Sequence, residues 1–599
     1  MRALIVLFLG LSNVVLTAQT DFDLAESYFD KGDFEKALYY YKKLHEGQPN
    51  NSNYVFKFVE IQQQLKQFAE AQNLLESQYN RTKNPQFLVE LGHHFQLQNK
   101  TKKAIEFYNS AIDLVAKKPA FVYAVALRFE AHSLVDQAIS VYKIGLEINQ
   151  NLNYEYRLAG LYAEKKDIEN MFLSYLNFTE NNPSYLSQIL RLFGDYISDD
   201  KASKYNQILK RIVLQKLQNN SDAFWTNMLS WIYIQQNDFK KALLQEQALF
   251  RRDGGTLQSI IDIGLMAKES QQYKVTSDAL IFVLDNTQET KLKIEAKHQL
   301  LMLEIQHVNT PNYGRIQSEF TDILNRHGIS NETLETLLSY AEFLTFQMSQ
   351  SDVAINRLKS ALNNQISAIS KARVKLKLAD ILVSQSQFNR ALIYYTQVHT
   401  GMKNSTLAQQ ARLKAAKTSY YKGDFGWAET QLKVLKSSAS QLIANDALDL
   451  QLLISDHKFG DSLQAPLRLY AKADFLSVQN KNQEAINSLN LLVETYPTHA
   501  IVDQALLFQA KLFEATGDLK SAELHYLKII TNYPTEILID DAYFSLAELY
   551  RKKLNSPQKA KDCYEKIMFN HQDSIHFVES KKHYRLLRNL TEDLNTTTL

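Results

Sequence analysis

An alanine returns about every 34 residues through most of the chain: Ala37, Ala71, Ala104 and Ala138, then Ala242, Ala279, Ala354, Ala391, Ala428, Ala485, Ala522 and Ala560. Tyrosine often follows four residues later, as in Ala37/Tyr41, Ala104/Tyr108, Ala138/Tyr142, Ala391/Tyr395, Ala522/Tyr526 and Ala560/Tyr564. A small residue usually lies twelve positions earlier (Ala25, Gly92, Ala126, Ala379, Ala416, Ala473, Ala510). Two helices approach closely only where both present small side chains, and an aromatic ring then fills the space beside them. A period of this length marks a stacked helix–turn–helix array.

A length of 599 residues exceeds what one closed core usually organises, and an array whose units touch only their neighbours meets no such limit. The 17 Gly and 9 Pro leave few breaks in helical structure, and 32 Tyr with 31 Phe supply large apolar fillers. Lys and Arg (67) nearly balance Asp and Glu (65), so no global basic field points to nucleic acid or an anionic membrane.

The opening Met1-Arg2-Ala3-Leu4-Ile5-Val6-Leu7-Phe8-Leu9 places one positive charge before an apolar run that extends to about Leu16 and closes with Thr17-Ala18-Gln19. This pattern predicts a secretory signal peptide over residues 1–18, cleaved after Ala18. The run falls short of the ~20 residues of a membrane span. No cysteine lies near the cleavage point, so no lipid anchor is expected, and the mature chain is expected to be exported and periplasmic. The single cysteine, Cys563, cannot form an intramolecular disulfide and is read as a small buried hydrophobe between Ala560 and Tyr564.

The second helix of each unit opens most clearly in Gly32-Asp33-Phe34, Gly423-Asp424-Phe425 and Gly517-Asp518-Leu519, where glycine ends one helix and aspartate caps the next. Proline closes units twelve residues after the alanine, at Pro49, Pro497 and Pro534. Pro183 stands in that relation to Met171, which replaces alanine in the fifth unit. With Gly92, Phe95, Ala104, Tyr108 and Ala111 in one unit, and Leu229, Tyr233 and Ala242 in another, the chain resembles the tetratricopeptide repeat family over nearly its whole mature length. The resemblance implies an all-α, right-handed superhelical solenoid of tandem helix–turn–helix repeats.

Spacing also predicts irregular units. Met171 to Ala242 and Ala279 to Ala354 should each hide one degenerate repeat, near residues 185–218 and 290–330. Surplus chain around Leu442–Pro466 suggests an additional helix (Leu442, Ala447, Leu450, Leu453) before a junction at His457–Ser462. Three arrays are therefore expected, over residues 19–218, 219–456 and 457–599. The last array, with Tyr496-Pro497-Thr498 and Tyr533-Pro534-Thr535, is similar to repeats of bacterial envelope proteins, among them the lipoprotein of the β-barrel assembly machine and the periplasmic coordinator associated with Tol–Pal. Residues 567–574 and 581–588 resemble the endings of envelope repeat proteins of Bacteroidota-type bacteria.

No motif compels an enzymatic reading: there is no phosphate-binding glycine loop, His-Glu-x-x-His, Cys-x-x-Cys or Gly-x-Ser-x-Gly. His93 and His94 are adjacent and so diverge on a helix; His94 is expected to pack and His93 to face a groove. His571, His576 and His583 read as surface and turn histidines. Neither metal nor cofactor is expected. Lys581, Lys582, Arg585 and Arg588 fall on a final helix whose other face carries Tyr584, Leu587 and Leu590. A capping helix needs such a polar outer face, and docking to an acidic partner or lipid headgroups is the alternative.

By the resemblance, first-helix side chains line a concave groove. The positions so implied are Gln86, Val89, His93 and Gln96; Tyr123, Leu127 and Glu130; Tyr156; Phe224, Asn227, Trp231 and Gln235; and Arg373, Leu376 and Asp380. Aromatic and amide groups together suit an extended or helical peptide. The expected function is a non-enzymatic periplasmic scaffold that binds envelope proteins. The alternatives are a ligand-binding or enzymatic site in the degenerate repeats and self-assembly of the array.

Overall fold

All twelve recurring alanines are buried, none more than 2% exposed. The tyrosines four residues on are buried with them, as are Ala25, Gly92, Ala126, Ala379, Ala416, Ala473 and Ala510. The contact is tight: a Cβ added at Gly92 would lie 2.3 Å from Cε1 of the Tyr108 ring, and one at Gly264 would lie 3.0 Å from the Cβ of Ala279. Small side chains thus form the seam along which paired helices meet.

The structure, a computed structural model, describes residues 21–149, 153–219, 222–436, 440–458 and 464–596, with side chains to Arg588. The expected signal peptide, residues 459–462 of the expected junction and the side chain of Leu590 lie outside the described residues. Among the described residues there are 32 α-helices and no strand. The fold is the expected all-α array of helix–turn–helix repeats. The described residues divide into two compact units, one up to Ala279 and one from Leu280.

In the first unit, first helices (21–30, Ser52–Gln64, Gln86–Leu97, Val122–Ala131, Glu155–Glu164, Leu186–Phe193, Ala223–Gln235, Leu257–Glu269) alternate with second helices (Phe34–Gly47, Phe68–Thr82, Thr101–Lys117, Val135–Ile148, Ile168–Asn181, Lys204–Asn219, Phe239–Asp253). The expected degenerate repeat is the short helix Leu186–Phe193 paired with Lys204–Asn219, where Leu209 and Ile212 are buried and Tyr205 is exposed. First helices touch first helices and second touch second in successive repeats. Gln86 Nε2 donates to the Ala124 carbonyl at 3.2 Å in one layer, and Arg211 Nη2 donates to Glu169 at 2.6 Å in the other.

In most pairs the reversal runs through one residue of positive φ. Glycine holds it at Gly32, Gly423 and Gly517, but Lys66, Asn99, Ser133, Lys166, Asn237, Gln271, Ser386 and Asn480 take it with φ of 53 to 61°. The close-packed helices on either side enforce a left-handed turn that most of these side chains disfavour. The following aspartate caps as expected at Asp424, which accepts from the Trp427 amide, and at Asp518, which accepts from the Ser521 amide. At Asp33 the expected cap is not made, because the carboxylate accepts from Lys36 Nζ at 2.6 Å instead.

The helix Tyr273–Asn286 carries the boundary between the units, and the other degenerate repeat, Thr290–His307 and Tyr313–His327, follows it; Ile316, Phe320, Ile323 and Leu324 of that repeat are buried. Regular pairs follow: Leu334–Phe346 with Ser351–Ala361, Ala368–Ser384 with Phe388–Gly401, and Thr406–Lys422 with Phe425–Leu435. The surplus helix, Gln441–His457, buries Ala447 and Leu450. Leu442 does not join them; it lies in the helix's first turn and is exposed. Beyond it come Ala465–Val478 with Asn482–Thr495, Val502–Thr516 with Leu519–Asn532, Ile539–Lys552 with Pro557–Asn570, and the last helix, Phe577–Thr596. The buried core runs on across the surplus helix, from Leu413 to Leu587. Phe475 packs on Phe388 (ring centroids 5.1 Å) and Tyr421 (5.4 Å), and Gln479 Nε2 donates to the Ser384 carbonyl at 2.7 Å. Cys563 is buried, as expected, and burial pushes its thiol up to about 12.

Candidate protein-binding surface

The first-helix layer carries every implied groove position, and the structure sorts them into three groups. Val89 is fully buried and Leu376 is 6% exposed. Both correct the sequence-based expectation: each is buried in the array and leaves no apolar surface for a partner.

A second group consists of polar side chains already engaged inside the array. Tyr108 donates its hydroxyl proton to Gln96 Oε1 at 2.7 Å, Tyr142 to Glu130 Oε1 at 2.6 Å and Tyr395 to Asp380 Oδ1 at 2.6 Å. Each donor is the tyrosine that follows a recurring alanine. Its ring fills the seam, so its hydroxyl emerges between the paired helices and needs an acceptor there. Tyr526 makes the same bond to Glu514 at 2.6 Å. Burial and the adjoining carboxylate push Tyr142, Tyr395 and Tyr526 well above the usual phenol range. Asp380 also accepts from Lys414 Nζ at 2.6 Å, and Arg373 is paired with Glu335. Gln86 is held by its bond to Ala124.

Apart from His93, whose ring is stacked on His132, the remaining positions are open to a partner. Tyr123 is exposed, with its hydroxyl 3.4 Å from Arg157 Nη2, and Asn227 and Gln235 are exposed on Ala223–Gln235. Leu127, Tyr156, Phe224 and Trp231 are half-buried. Tyr156 lies edge-on to Tyr175 and Phe178, with centroids 5.6 and 5.2 Å away. Phe224 meets the buried Trp225, whose indole N–H donates to Glu180 at 2.8 Å.

His94 packs as expected: it is buried, with Nδ1 3.4 Å from Gln63 Nε2. His93 stacks on His132, with ring centroids 3.8 Å apart. His132 Nε2 in turn lies 2.9 Å from the buried carboxylate of Glu90, which also accepts from Arg128 Nε at 2.7 Å. The Arg128 guanidinium covers the ring of Phe56 at 4.3 Å. This chain of contacts joins three successive first helices. Burial pushes the Glu90 carboxyl up, but the His132 hydrogen bond and the Arg128 charge outweigh it and hold the group below the usual carboxylate range. Burial, then the neighbouring His132, pushes His93 down to about 4. Sequence reasoning missed this network because its members lie 38 and 42 residues apart and belong to no local pattern. Placing two repeats in register would have aligned them. Among the described residues no group of three or more His, Cys, Asp or Glu side chains is arranged to hold a metal ion, and no helix is long and apolar enough to cross a membrane.

The tetratricopeptide repeat is recognised at two places in the chain, residues 19–51 and residues 540–568. No curated protein matches the sequence. Similar solved structures include one of Naa15/Naa10 bound to HypK-THB (12% identity over 97% of this chain and 97% of that chain, TM-score 0.27). Others are yeast Tom70 (13%, 82% and 97%, TM-score 0.30) and the APC/C hetero-tetramer Cut9-Hcn1 (12%, 96% and 98%, TM-score 0.19).

Proposed function

We propose that the chain is a non-enzymatic scaffold of the bacterial periplasm that holds envelope proteins along its first-helix layer. The observation that carries this reading is the division of labour within each repeat. Small residues and tyrosines are consumed in the seam, whereas Tyr123, Leu127, Asn227, Trp231 and Gln235 leave aromatic and amide surface on one layer. A partner lying across several repeats makes many modest contacts to side chains that packing has already ordered, so little further ordering entropy is lost on binding. Aromatic area with fixed amides suits an extended or helical peptide segment.

Export rests on the charged, apolar and small-residue pattern of residues 1–18, and the envelope setting on the resemblance of the last repeats. Two measurements test the proposal. The mature protein recovered from the periplasm should begin at Gln19. Affinity purification from crosslinked envelopes should recover the same protein partners with the wild type and with a second-layer variant such as Leu244→Ser, and lose them with Tyr123→Ala/Asn227→Ala/Gln235→Ala. Equal recovery by all three proteins would overturn the assignment of the binding layer. A cytoplasmic, unprocessed chain would overturn the localisation.

A further inference from the structure

Among the described residues, the three most exposed large apolar side chains lie at the edge of the last repeats. Ile575 is 87% exposed, Ile537 83%, Val578 78%, Phe569 64% and Leu586 53%. Ile537 and Ile575 occupy matching places in successive inter-repeat loops, 38 residues apart. The second loop is fixed to the helix Ile539–Lys552: His576 Nε2 is 3.0 Å from Asp541 Oδ1, and the His576 ring stacks on Phe544 at 4.1 Å. Val578 and Leu586 belong to the helix Phe577–Thr596, which turns Ser580 and Leu587 into the core. At 100° per residue, Val578, Lys581, Lys582, Arg585 and Leu586 share the opposite face. Lys582 and Arg585 are exposed, and neither is paired among the described residues.

We propose that this edge docks on an anionic lipid surface. The chain as a whole carries a formal charge of only +2, and the stretch around Ile537 is acidic (Glu536, Asp540, Asp541), so the cationic part of the edge is the face of the last helix that carries Lys581, Lys582 and Arg585 beside Val578 and Leu586. Basic side chains set beside protruding apolar ones are the pattern of an interfacial helix: the cations meet headgroup phosphates and the apolar tips enter the acyl boundary. Isoleucines exposed by more than four-fifths on loop tips project from the fold. They suit insertion into a deformable layer better than lining a cleft for a partner's side chain. The residues of this site are other than Tyr123, Asn227 and Gln235, and the inference does not rest on the role proposed for those.

The test is cosedimentation of the full mature chain with vesicles of equal phosphatidylglycerol and phosphatidylcholine, and with phosphatidylcholine alone. The wild type should pellet with the anionic vesicles, and binding should weaken steeply in high salt. Ile575→Ser/Val578→Ser and Lys582→Glu/Arg585→Glu should each lower partitioning by about tenfold or more. Their melting temperatures should not change, because all four side chains are exposed. Tyr123→Ala/Asn227→Ala/Gln235→Ala should bind vesicles as the wild type does, which separates failure here from failure of the groove assignment. A wild type that ignores anionic vesicles, or variants that bind them equally, would overturn the proposal. So would loss, in the same variants, of a crosslinked acidic protein without any change in vesicle binding.

Discussion

A glycine in this array is either a requirement or a defect, depending on what its missing Cβ would touch. At Gly92 that atom would collide with the Tyr108 ring, which is fixed in the seam. Gly92→Ala should cost about 1–3 kcal/mol, as overpacking does. At Gly160, inside the helix Glu155–Glu164, nothing lies within 4 Å. Gly160→Ala should therefore stabilise by about 0.5–1 kcal/mol through helix propensity. Thermal melts of the two variants should move in opposite directions. Titratable residues make a second contrast. His93 falls from an ordinary 6.5 to about 4, so the stability it contributes is complete above 6.5 and is lost as pH falls through 4. Asp474 is pushed by burial from 3.8 to about 6, partly offset by Lys417, so the folded state binds its proton more tightly and gains stability as pH falls through 6 towards 3.8. Asp474→Asn should raise the melting temperature more at about pH 8 than at about pH 4.5. His93→Phe, which keeps a ring against His132, should flatten the acid loss between about pH 7 and pH 4.5. Cys563, with its thiol up at about 12, should resist alkylation in the native chain at about pH 8 and react on unfolding.

At the scale of the helical pair, alanine sets how near two helices come. Ala391 is fully buried, and Ala391→Leu should push Ala368–Ser384 and Phe388–Gly401 apart, lowering stability by about 1–3 kcal/mol in denaturant melts. An unchanged midpoint would mean that this seam is not close-packed. The pairing was legible in the chain because alanine, tyrosine and glycine recur in phase, and this also located the degenerate pairs Leu186–Phe193/Lys204–Asn219 and Thr290–His307/Tyr313–His327. The turn was only partly legible. Gly32 announces a left-handed residue, whereas Lys66 and Lys166 adopt the same φ because flanking helices hold them there. The candidate surface was less legible still. Phase placed Tyr123, Asn227 and Gln235 on an open layer, but it cannot tell a free carboxylate from one that serves a buried hydroxyl, so Glu130 and Asp380 looked available. Val89 and Leu376 looked exposed for a related reason: how far the next repeat covers a helix depends on contacts some 34 residues away.

Across the whole molecule, the proposed function rests on the side chains that the seam leaves unused. Tyrosines hold the paired helices by ring and hydroxyl, the Glu90–Arg128–His132 network links successive first helices, and the remaining aromatic and amide groups of that layer face outward. The second layer also exposes apolar residues, Ile105, Leu244 and Ile393 among them, so exposure alone does not select the binding layer. Site-specific photocrosslinking separates the two most directly. A photoreactive residue replaces Tyr123, Asn227 or Gln235 in one set of proteins and Ile105, Leu244 or Ile393 in another, and each is activated in intact cells. The first set should trap the same protein partner from all three positions while the second traps none. Crosslinks confined to the second layer, or spread equally over both, would contradict the claim that the first helices are the binding surface.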